Sequence, residues 1–284
     1  MPFDTFTSRL KEVALSTLAL CRNRYGGNGL KVEQSIDKDI GWQPTFFLRP
    51  ARFLILAVEV NDLIYPEALK VAAHDIVHFE TPIAVYQACP LEAYQNDPKH
   101  GKINLLRRHG FGIITVDDDD VATIQHPCIP LAQHISLEEL ERELAGLNRV
   151  LKVQLKTAHQ TYLANEGQGL QQAGQIVEAL ILSMAKQAAR RGILPAGRLT
   201  DPLADIIDEL YQARQFRSHR AALGSARDFI KEFRNTASHA PRSARQAMEK
   251  IKKCKKGFLD AIDVARKLRC VMQALGFPIR ICTS

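Results

Sequence analysis

The sequence predicts an α/β domain followed by an all-helical domain. In the first part, short apolar runs bounded by turn residues alternate with stretches of helical periodicity. Beyond Pro127–Pro130 only helical periodicity remains, and it begins with the capping box Ser136-Leu-Glu-Glu139. A chain of 284 residues is also long for a single core. We therefore place the two domains at residues 1–131 and 132–284.

The first domain is predicted to contain a mixed sheet, because its elements follow the order helix, strands, crossover helix, strand, helix, strand. Phe53–Val60 is almost continuously apolar, as in a strand covered on both faces. Pro66 suits the first turn of the crossover helix, and Gly110 suits the left-handed cap of the next helix. The other predicted elements are an opening helix ending near Tyr25, strands at Leu30–Ser35, Thr45–Leu48, Pro82–Ala88 and Phe111–Val116, and helices from Pro66 to Val77 and from Ile103 to Arg108.

Two short motifs in this domain bear on metal-dependent chemistry. Pro44-Thr45 is followed, after thirteen intervening residues, by Glu59 and then Asn61. This arrangement, over roughly residues 3 to 131, resembles the restriction-endonuclease-like fold, in which a hairpin delivers a PD-(D/E)XK motif. The resemblance implies an acid where Thr45 stands and a lysine where Asn61 stands, so only Glu59 matches. Because magnesium catalysis needs clustered carboxylates, we expect a degenerate domain kept for binding or docking.

Other residues of the first domain bear on a metal site. Glu33, Asp39 or the run Asp117–Asp120 could supply a second ligand beside Glu59. We expect the four aspartates to form a solvated loop, because metal cages need ligands spaced around a turn. Three residues with irregular spacing are interpreted as linker residues, namely His126, Cys128 and His134. No metal site and no cofactor is predicted.

Charge and cysteine usage restrict the class of partner. From Ala213 onward 17 Lys and Arg stand against 5 Asp and Glu, whereas the preceding residues sum to −5. Such asymmetry favours a polyanionic partner. Six cysteines without Cys-x-x-Cys spacing fit a reducing cytoplasm. No apolar run reaches the roughly 18 residues of a membrane span and no signal peptide is evident, so we expect a cytoplasmic protein without a membrane partner.

The second domain is predicted to be a bundle of about five helices. Their expected ranges are about 136–162, 170–191, 200–210, 229–240 and 243–275. Within it, Arg234 and His239 flank the end of an amphipathic helix that Pro241 stops, and Asn235 follows the arginine. A fixed cation beside a group that titrates near neutral pH is suited to phosphodiester cleavage. The pattern Arg-Asn-x-x-x-His in a basic, helical segment resembles the HEPN superfamily, whose active members are metal-independent ribonucleases.

This resemblance implies an endoribonuclease that acts as a homodimer through the helical bundle and leaves a 2′,3′-cyclic phosphate and a 5′-hydroxyl. His239 would serve as general base or acid, Arg234 would neutralise charge on the phosphoryl oxygens, and Asn235 would orient either of them. The lysines expected to hold the phosphate backbone are Lys252, Lys253, Lys255 and Lys256. By analogy, a sensor or interaction domain joined to such an effector is typical of prokaryotic defence and toxin proteins, with a protein partner from the same system.

Three alternatives stay open. Arg214 and His219 form a second pair at the same spacing, although no asparagine follows that arginine. A magnesium-dependent DNA nuclease that uses Glu59, with the helical domain as a dimeriser, would be inhibited by a chelator. A non-catalytic nucleic-acid-binding or scaffold protein would bind in a salt-dependent way and cleave nothing.

Overall fold

The structure is a computed structural model that describes residues 3–38, 41–65, 69, 79–237 and 240–278, with only the backbone described at 234–237. The chain divides into two compact units. One comprises Met1–Leu137 with Pro241–Ile251, and the other comprises Glu138–Ala240 with Lys252–Ser284. A mixed sheet in the N-terminal half and a helical region after it confirm the α/β-plus-helical class. The domain boundary between residues 131 and 132 stays a prediction.

The first unit is built around a six-stranded sheet. Its elements are α1 (Ser8–Tyr25), β1 (Lys31–Val32), β2 (Phe46–Ala51), β3 (Leu54–Val60), β4 (Ile83–Pro90), α2 (Leu91–Gln95), a 3-10 turn (Pro98–His100), α3 (Gly101–Arg108), β5 (Gly112–Val116) and β6 (Ala122–His126). The predicted opening helix, the five predicted strands and the helix before Gly110 are confirmed. The predicted crossover helix from Pro66 to Val77 lies outside the described residues except for Leu69, which is buried.

The strands lie side by side in chain order. β1, β2 and β3 pair antiparallel, β3, β4 and β5 pair parallel, and β6 returns antiparallel to β5. Parallel neighbours need a crossover connection, and α2 and α3 lie in the one between β4 and β5. The prediction of a mixed sheet is therefore confirmed.

Both faces of the sheet are covered, which explains why β3 is apolar at nearly every position. On one face, Leu56 and Val58 pack in a core with Val13 of α1. On the other face, Ile55 belongs to a second core that includes Ile103 of α3. Successive side chains of a strand point to opposite faces, so a strand buried on both needs apolar residues at odd and even positions.

Strand β6 contradicts the interpretation of His126 as a linker residue. His126 ends the strand, and its Nε2 lies 3.0 Å from the hydroxyl of Tyr94. Cys128 follows the strand and packs partly buried against the core around α1, while His134 Nε2 lies 2.7 Å from the carbonyl oxygen of Arg108. β6 is a half-exposed edge strand with no continuous apolar run, so the pattern that marks the buried strands is missing there.

The four aspartates form the turn between β5 and β6. One carboxylate oxygen of Asp117 accepts hydrogen bonds from the backbone N–H groups of Asp119 and Val121, at 3.1 and 2.9 Å. The guanidinium of Arg9 in α1 donates to the Asp117 carbonyl at 2.8 Å and to the Asp120 carboxylate at 3.2 Å. Asp118, Asp119 and Asp120 are exposed and Asp117 is half-buried, and the contacts of the run close the hairpin and attach it to α1.

The helical region begins at Leu137. Its elements are α4 (Leu137–Glu143), α5 (Arg149–Ala164), α6 (Glu166–Arg190), a 3-10 helix (Ala196–Thr200), α7 (Leu203–Gln212), a 3-10 helix (Arg214–His219), α8 (Arg220–Ala237) and α9 (Ala244–Ala274). The predicted count of about five is not confirmed, since six α-helices lie within the described residues of this region. The difference arises because the first predicted helix is two helices, α4 and α5.

Local backbone chemistry places the helix breaks. Gly146 has a φ of +78°, a left-handed conformation that glycine adopts readily and that cannot continue a helix. Asn148 then accepts a hydrogen bond from the Leu151 N–H at 2.9 Å and caps α5. At the next break, Asn165 caps α6 in the same way through the Gln168 N–H, so α5 and α6 are separated by a single residue.

Candidate functional sites

The first candidate site lies where the β2–β3 hairpin brings Thr45 beside Glu59. The strands pair Phe46 with Val58, which places Thr45, the residue before Phe46, next to Glu59. The Thr45 hydroxyl accepts a hydrogen bond from the backbone N–H of Val60 at 3.0 Å. The structure thus brings two of the three residues of the degenerate motif together, and the threonine hydroxyl is engaged by the hairpin itself.

The carboxyl group of Glu59 is half-buried and held by two donors. Trp42 Nε1 donates to Glu59 Oε2 at 3.3 Å, and the backbone N–H of Thr45 donates to the same carboxyl group. Burial raises the pKa of Glu59 to about 7, although both hydrogen bonds act in the opposite direction. Glu59 therefore exchanges its proton near neutral pH, which an exposed glutamate does not do.

Gln87 on β4 adjoins Glu59 and was not predicted as a site residue. The two residues are register partners across the parallel β3–β4 pair. Gln87 is fully buried, and its Nε2 donates to the carbonyl oxygens of Glu59 and Ala88 at 3.4 and 3.3 Å, which fixes the orientation of its amide. Its Oε1 has no hydrogen-bond partner within the described residues. A glutamine inside the apolar run Pro82–Ala88 was the sequence signal for it.

The other residues considered for metal binding do not join Glu59. The backbone N–H of Asn61 donates to the Ala88 carbonyl at 3.0 Å, and Glu33 Oε1 accepts from the Thr5 hydroxyl at 3.4 Å. Asp39 lies outside the described residues, and the four aspartates form the β5–β6 turn. Among the residues that the structure describes, no three His, Cys, Asp or Glu side chains gather as a metal ion would require.

Replacing Glu59 with glutamine is expected to stabilise the protein more at pH 8 than at pH 5. The folded-state pKa of about 7 lies above the ordinary value of 4.5. The folded protein therefore binds more protons than the unfolded chain between these values, and stability falls as pH rises through this window. The Glu59→Gln variant lacks this loss, so the difference in unfolding free energy should widen by about 2 kcal/mol. Urea unfolding of both proteins at the two pH values measures it.

Trp42→Phe supplies the control for this effect. Removing the indole N–H removes a hydrogen bond that lowers the pKa of Glu59, so the pH window of the stability loss should move upward. An equal stability gap between the natural protein and Glu59→Gln at pH 5 and pH 8 would contradict the raised pKa.

The second candidate site involves α8 and the residues that follow it. Arg234 and Asn235 lie in the last turn of this helix, which begins at Arg220 and ends at Ala237. The predicted helix stop ahead of Pro241 is confirmed, whereas the start lies well before the predicted Phe229. The side chains of Arg234 and Asn235, and all of His239, lie outside the described residues. Whether they converge stays a prediction.

The other Arg–His pair at the same spacing lies just upstream. Arg214 and His219 are the two ends of one 3-10 helix, with the buried Phe216 between them. Neither residue lines the cavity between α6, α8 and α9.

This cavity, of about 430 Å³, lies between α6, α8 and α9, within the second unit. Its lining residues are Leu170, Phe229, Glu232, Phe233, Lys253, Lys256, Gly257 and Asp260. Phe233 immediately precedes Arg234, so the cavity adjoins the helix turn that carries the predicted catalytic arginine. The volume lies in the range of pockets that hold small ligands.

The apolar floor of this cavity is fixed by close packing. The rings of Phe229 and Phe233 lie 5.5 Å apart and nearly parallel, on one face of α8. Phe233 also lies against Gly174 of α6, where an added Cβ would come within 2.5 Å of the ring. Glycine at position 174 therefore allows α6 and α8 to approach closely enough for Phe233 to line the cavity.

Charged groups form the rest of the cavity wall. Lys253, Lys256 and Asp260 recur at helical spacing and so share one face of α9. Burial raises the pKa of Asp260, the nearby Glu232 and Asp263 add to the rise, and Lys256 opposes it. The cavity therefore presents cationic and anionic groups above an apolar floor.

The four lysines predicted to bind phosphate fall into two groups. Lys253 and Lys256 line the cavity and are exposed, whereas Lys255 lies 3.8 Å from the carboxylate of Glu139. Lys252 is exposed and does not line the cavity. A helix cannot present four residues out of five on one face, because successive residues are rotated by about 100°. Two of the four are thus placed to act together.

No protein-family model, no curated protein and no solved structure matches this chain. Any assignment of function therefore rests on the residues of this chain. The fold and the two sites define the class as an α/β unit with a mixed sheet joined to a basic helical unit. None of the helices within the described residues is both long and apolar enough to cross a membrane.

Proposed function

We propose that this protein is a metal-independent endoribonuclease of the HEPN type. It acts as a homodimer through its helical unit, in the cytoplasm, in a prokaryotic defence or toxin setting. The observation that carries the proposal is the cavity on α8, where Lys253 and Lys256 share a wall with Phe233, the residue before Arg234.

Chain connectivity supports a site at this helix end. Arg234 lies in the last turn of α8, and His239 follows Ala237 by two residues. Consecutive Cα atoms are about 3.8 Å apart, so two residues span at most about 8 Å. A shared site of Arg234 and His239 at this end of α8 is therefore compatible with the length of the chain between them.

The proposed reaction is an internal transfer on RNA. The 2′-hydroxyl oxygen attacks the adjacent phosphorus, the bond from phosphorus to the 5′-oxygen breaks, and a 2′,3′-cyclic phosphate and a 5′-hydroxyl form. His239 takes the proton of the attacking hydroxyl or supplies the proton of the leaving oxygen, and the same residue of a second chain takes the other role. Arg234 neutralises the charge that develops on the phosphoryl oxygens, and Asn235 orients either group.

The lysines and the first unit have supporting roles in this proposal. Lys253 and Lys256 hold the RNA backbone, which makes binding dependent on salt concentration. The first unit serves as a binding or regulatory module, because Glu59 stands without the carboxylate and the lysine of an active PD-(D/E)XK motif. A protein partner of the same system would contact this module.

RNA cleavage should proceed in EDTA at the rate found with magnesium, and single-stranded DNA of the same sequence should stay intact. Catalysis by side chains needs no metal ion, and DNA lacks the attacking 2′-hydroxyl. Gel analysis of 5′-labelled RNA and DNA, with enzymatic identification of the product ends, measures both.

The other possible outcomes of this assay would support one of the two alternative functions. DNA cleavage that EDTA abolishes and Glu59→Ala removes would transfer the activity to the first unit. Salt-dependent binding without cleavage of either nucleic acid would leave a binding or scaffold protein. Either result would overturn the proposed ribonuclease.

A further inference from the structure

The cavity between α6, α8 and α9 contains charged groups that the fold does not use. Within the described part of the chain, Lys253 and Lys256 make no hydrogen bond and no ion-pair contact. The carboxyl group of Asp260 likewise accepts no hydrogen bond there, although it is half-buried. Lys256, one helical turn away, interacts electrostatically with this carboxyl group without a direct contact. These three residues are therefore available to a ligand.

The charges restrict the chemistry of that ligand. Two cations favour an anionic group, whereas Asp260 and Glu232 repel one and favour hydrogen-bond donors. A simple anion such as inorganic phosphate matches only half of the wall. The apolar floor of Leu170, Phe229 and Phe233 adds an uncharged, apolar part to the requirement. A molecule with a phosphate, a ring and N–H donors satisfies all three.

We infer that this cavity binds a guanine nucleotide, with the base on the apolar floor, its N1–H and N2–H₂ groups donating to Asp260, and its phosphate on Lys253 and Lys256. The cavity volume of about 430 Å³ suits a ligand of this size. The pairing follows the general rule that exposed bases of single-stranded RNA are read on their Watson–Crick edges.

Guanine fits better than the other bases because of its donors. An ionised carboxylate has two oxygens and accepts two parallel hydrogen bonds. Guanine presents two adjacent N–H donors on its pairing edge, so both oxygens are used. Adenine and cytosine present one amino group there, beside a ring nitrogen that the carboxylate would repel. Uracil presents one N–H between two carbonyl oxygens.

This inference rests on the proposed function in one respect, that the nucleotide belongs to an RNA substrate. Phe233 lines the cavity and Arg234 begins the last turn of α8, so under the proposed function the bound guanosine and the cleaved phosphate lie at the same end of this helix. The ribonuclease should then cut RNA beside guanosines. The binding itself does not depend on cleavage, so the two ideas can fail separately.

The test is binding of the four nucleoside monophosphates to the full-length protein, measured by ligand-detected NMR or calorimetry. We expect GMP to bind about tenfold or more tightly than AMP, CMP or UMP. Asp260→Asn should remove this preference, because an amide offers one acceptor and its NH₂ group faces the donors of guanine. Asp263→Asn removes the same charge from the same helix without touching the cavity, and should keep the preference.

The lysines are tested with a second pair of variants. Lys253→Gln combined with Lys256→Gln should weaken GMP but leave guanosine, which lacks the phosphate, unchanged. Lys252→Gln is the matched control, since this lysine is exposed on the same helix outside the cavity. Inorganic phosphate alone should bind more weakly than GMP.

The outcomes separate the two proposals. Guanine preference that depends on Asp260 supports the inference even where no RNA is cleaved, and the ribonuclease proposal alone would then fail. Equal binding of all four nucleotides, an unchanged preference in Asp260→Asn, or no binding at millimolar concentration would overturn the inference. Each of these would do so even in a protein that cleaves RNA.

Discussion

Replacing His239 with alanine is expected to lower the rate of RNA cleavage at least about a hundredfold. A positioned general acid or base contributes roughly 10²- to 10⁴-fold to a proton-transfer step. Alanine cannot carry a proton, so this contribution is lost while the RNA still binds. Single-turnover cleavage of labelled RNA, at protein concentrations above the measured dissociation constant, gives the rate of the chemical step. Binding affinity from the same titration should change little.

The second Arg–His pair supplies the matched control. His219→Ala removes the same side chain at the same spacing from an arginine, in the 3-10 helix before α8. Its cleavage rate should equal that of the natural protein. If His219→Ala abolished cleavage and His239→Ala did not, the catalytic pair would be Arg214 and His219. Arg234→Lys should also be slow, because lysine keeps the charge but loses the planar fork.

Replacing Gly169 with alanine is expected to destabilise the helical unit by about 3 kcal/mol. The added Cβ would lie 2.2 to 2.4 Å from the Cα, Cβ and N atoms of Tyr162. These belong largely to the backbone of α5, so no side-chain rotation relieves the clash and the two helices must separate. The ring of Tyr162 packs at a tilt against Phe258 of α9 with centroids 4.9 Å apart, so the separation would loosen a third helix. The midpoint of urea unfolding, followed by circular dichroism, reports the loss.

Gly167→Ala is the control, two residues away in the same helix. Among the described residues, the Asn165 side chain alone lies near its Cβ position, at 3.5 Å, which is ordinary contact. Alanine also favours the helix over glycine by up to about 1 kcal/mol, so stability should be equal or slightly higher. Equal midpoints for the two variants would contradict the close approach of α5 and α6 at position 169.

The strands of the first unit could be predicted because burial on both faces leaves a strong local signal. β3 and β4 are apolar at almost every position, since each side chain meets a core on its own face of the sheet. The edge strand β6 was not predicted, because it is not buried on both faces and lacks this signal. Its residues are half-exposed, so polar residues interrupt the apolar pattern, and His126 was interpreted as a linker residue.

Local sequence predicts some of the contacts within the candidate sites and not others. Glu59 and Thr45 could be paired because a hairpin connects them, and hairpin register fixes which residues meet. Gln87 could not be joined to them, since its strand comes after a long connection and the parallel register decides its neighbour. Helical spacing predicts that Lys253 and Lys256 share one face of α9. It does not predict which other helices pack against that face.

The order of sheet and helices, the helix break before Pro241 and the charge of the C-terminal part all follow from residues that are neighbours in the chain. Backbone preference and apolar period act over that short range. Packing is required to bring Leu170, Phe229 and Asp260 around one cavity, because they come from three helices far apart in sequence. The titration of Glu59 near neutral pH has the same origin, since burial is a property of the packed chain and not of the residue.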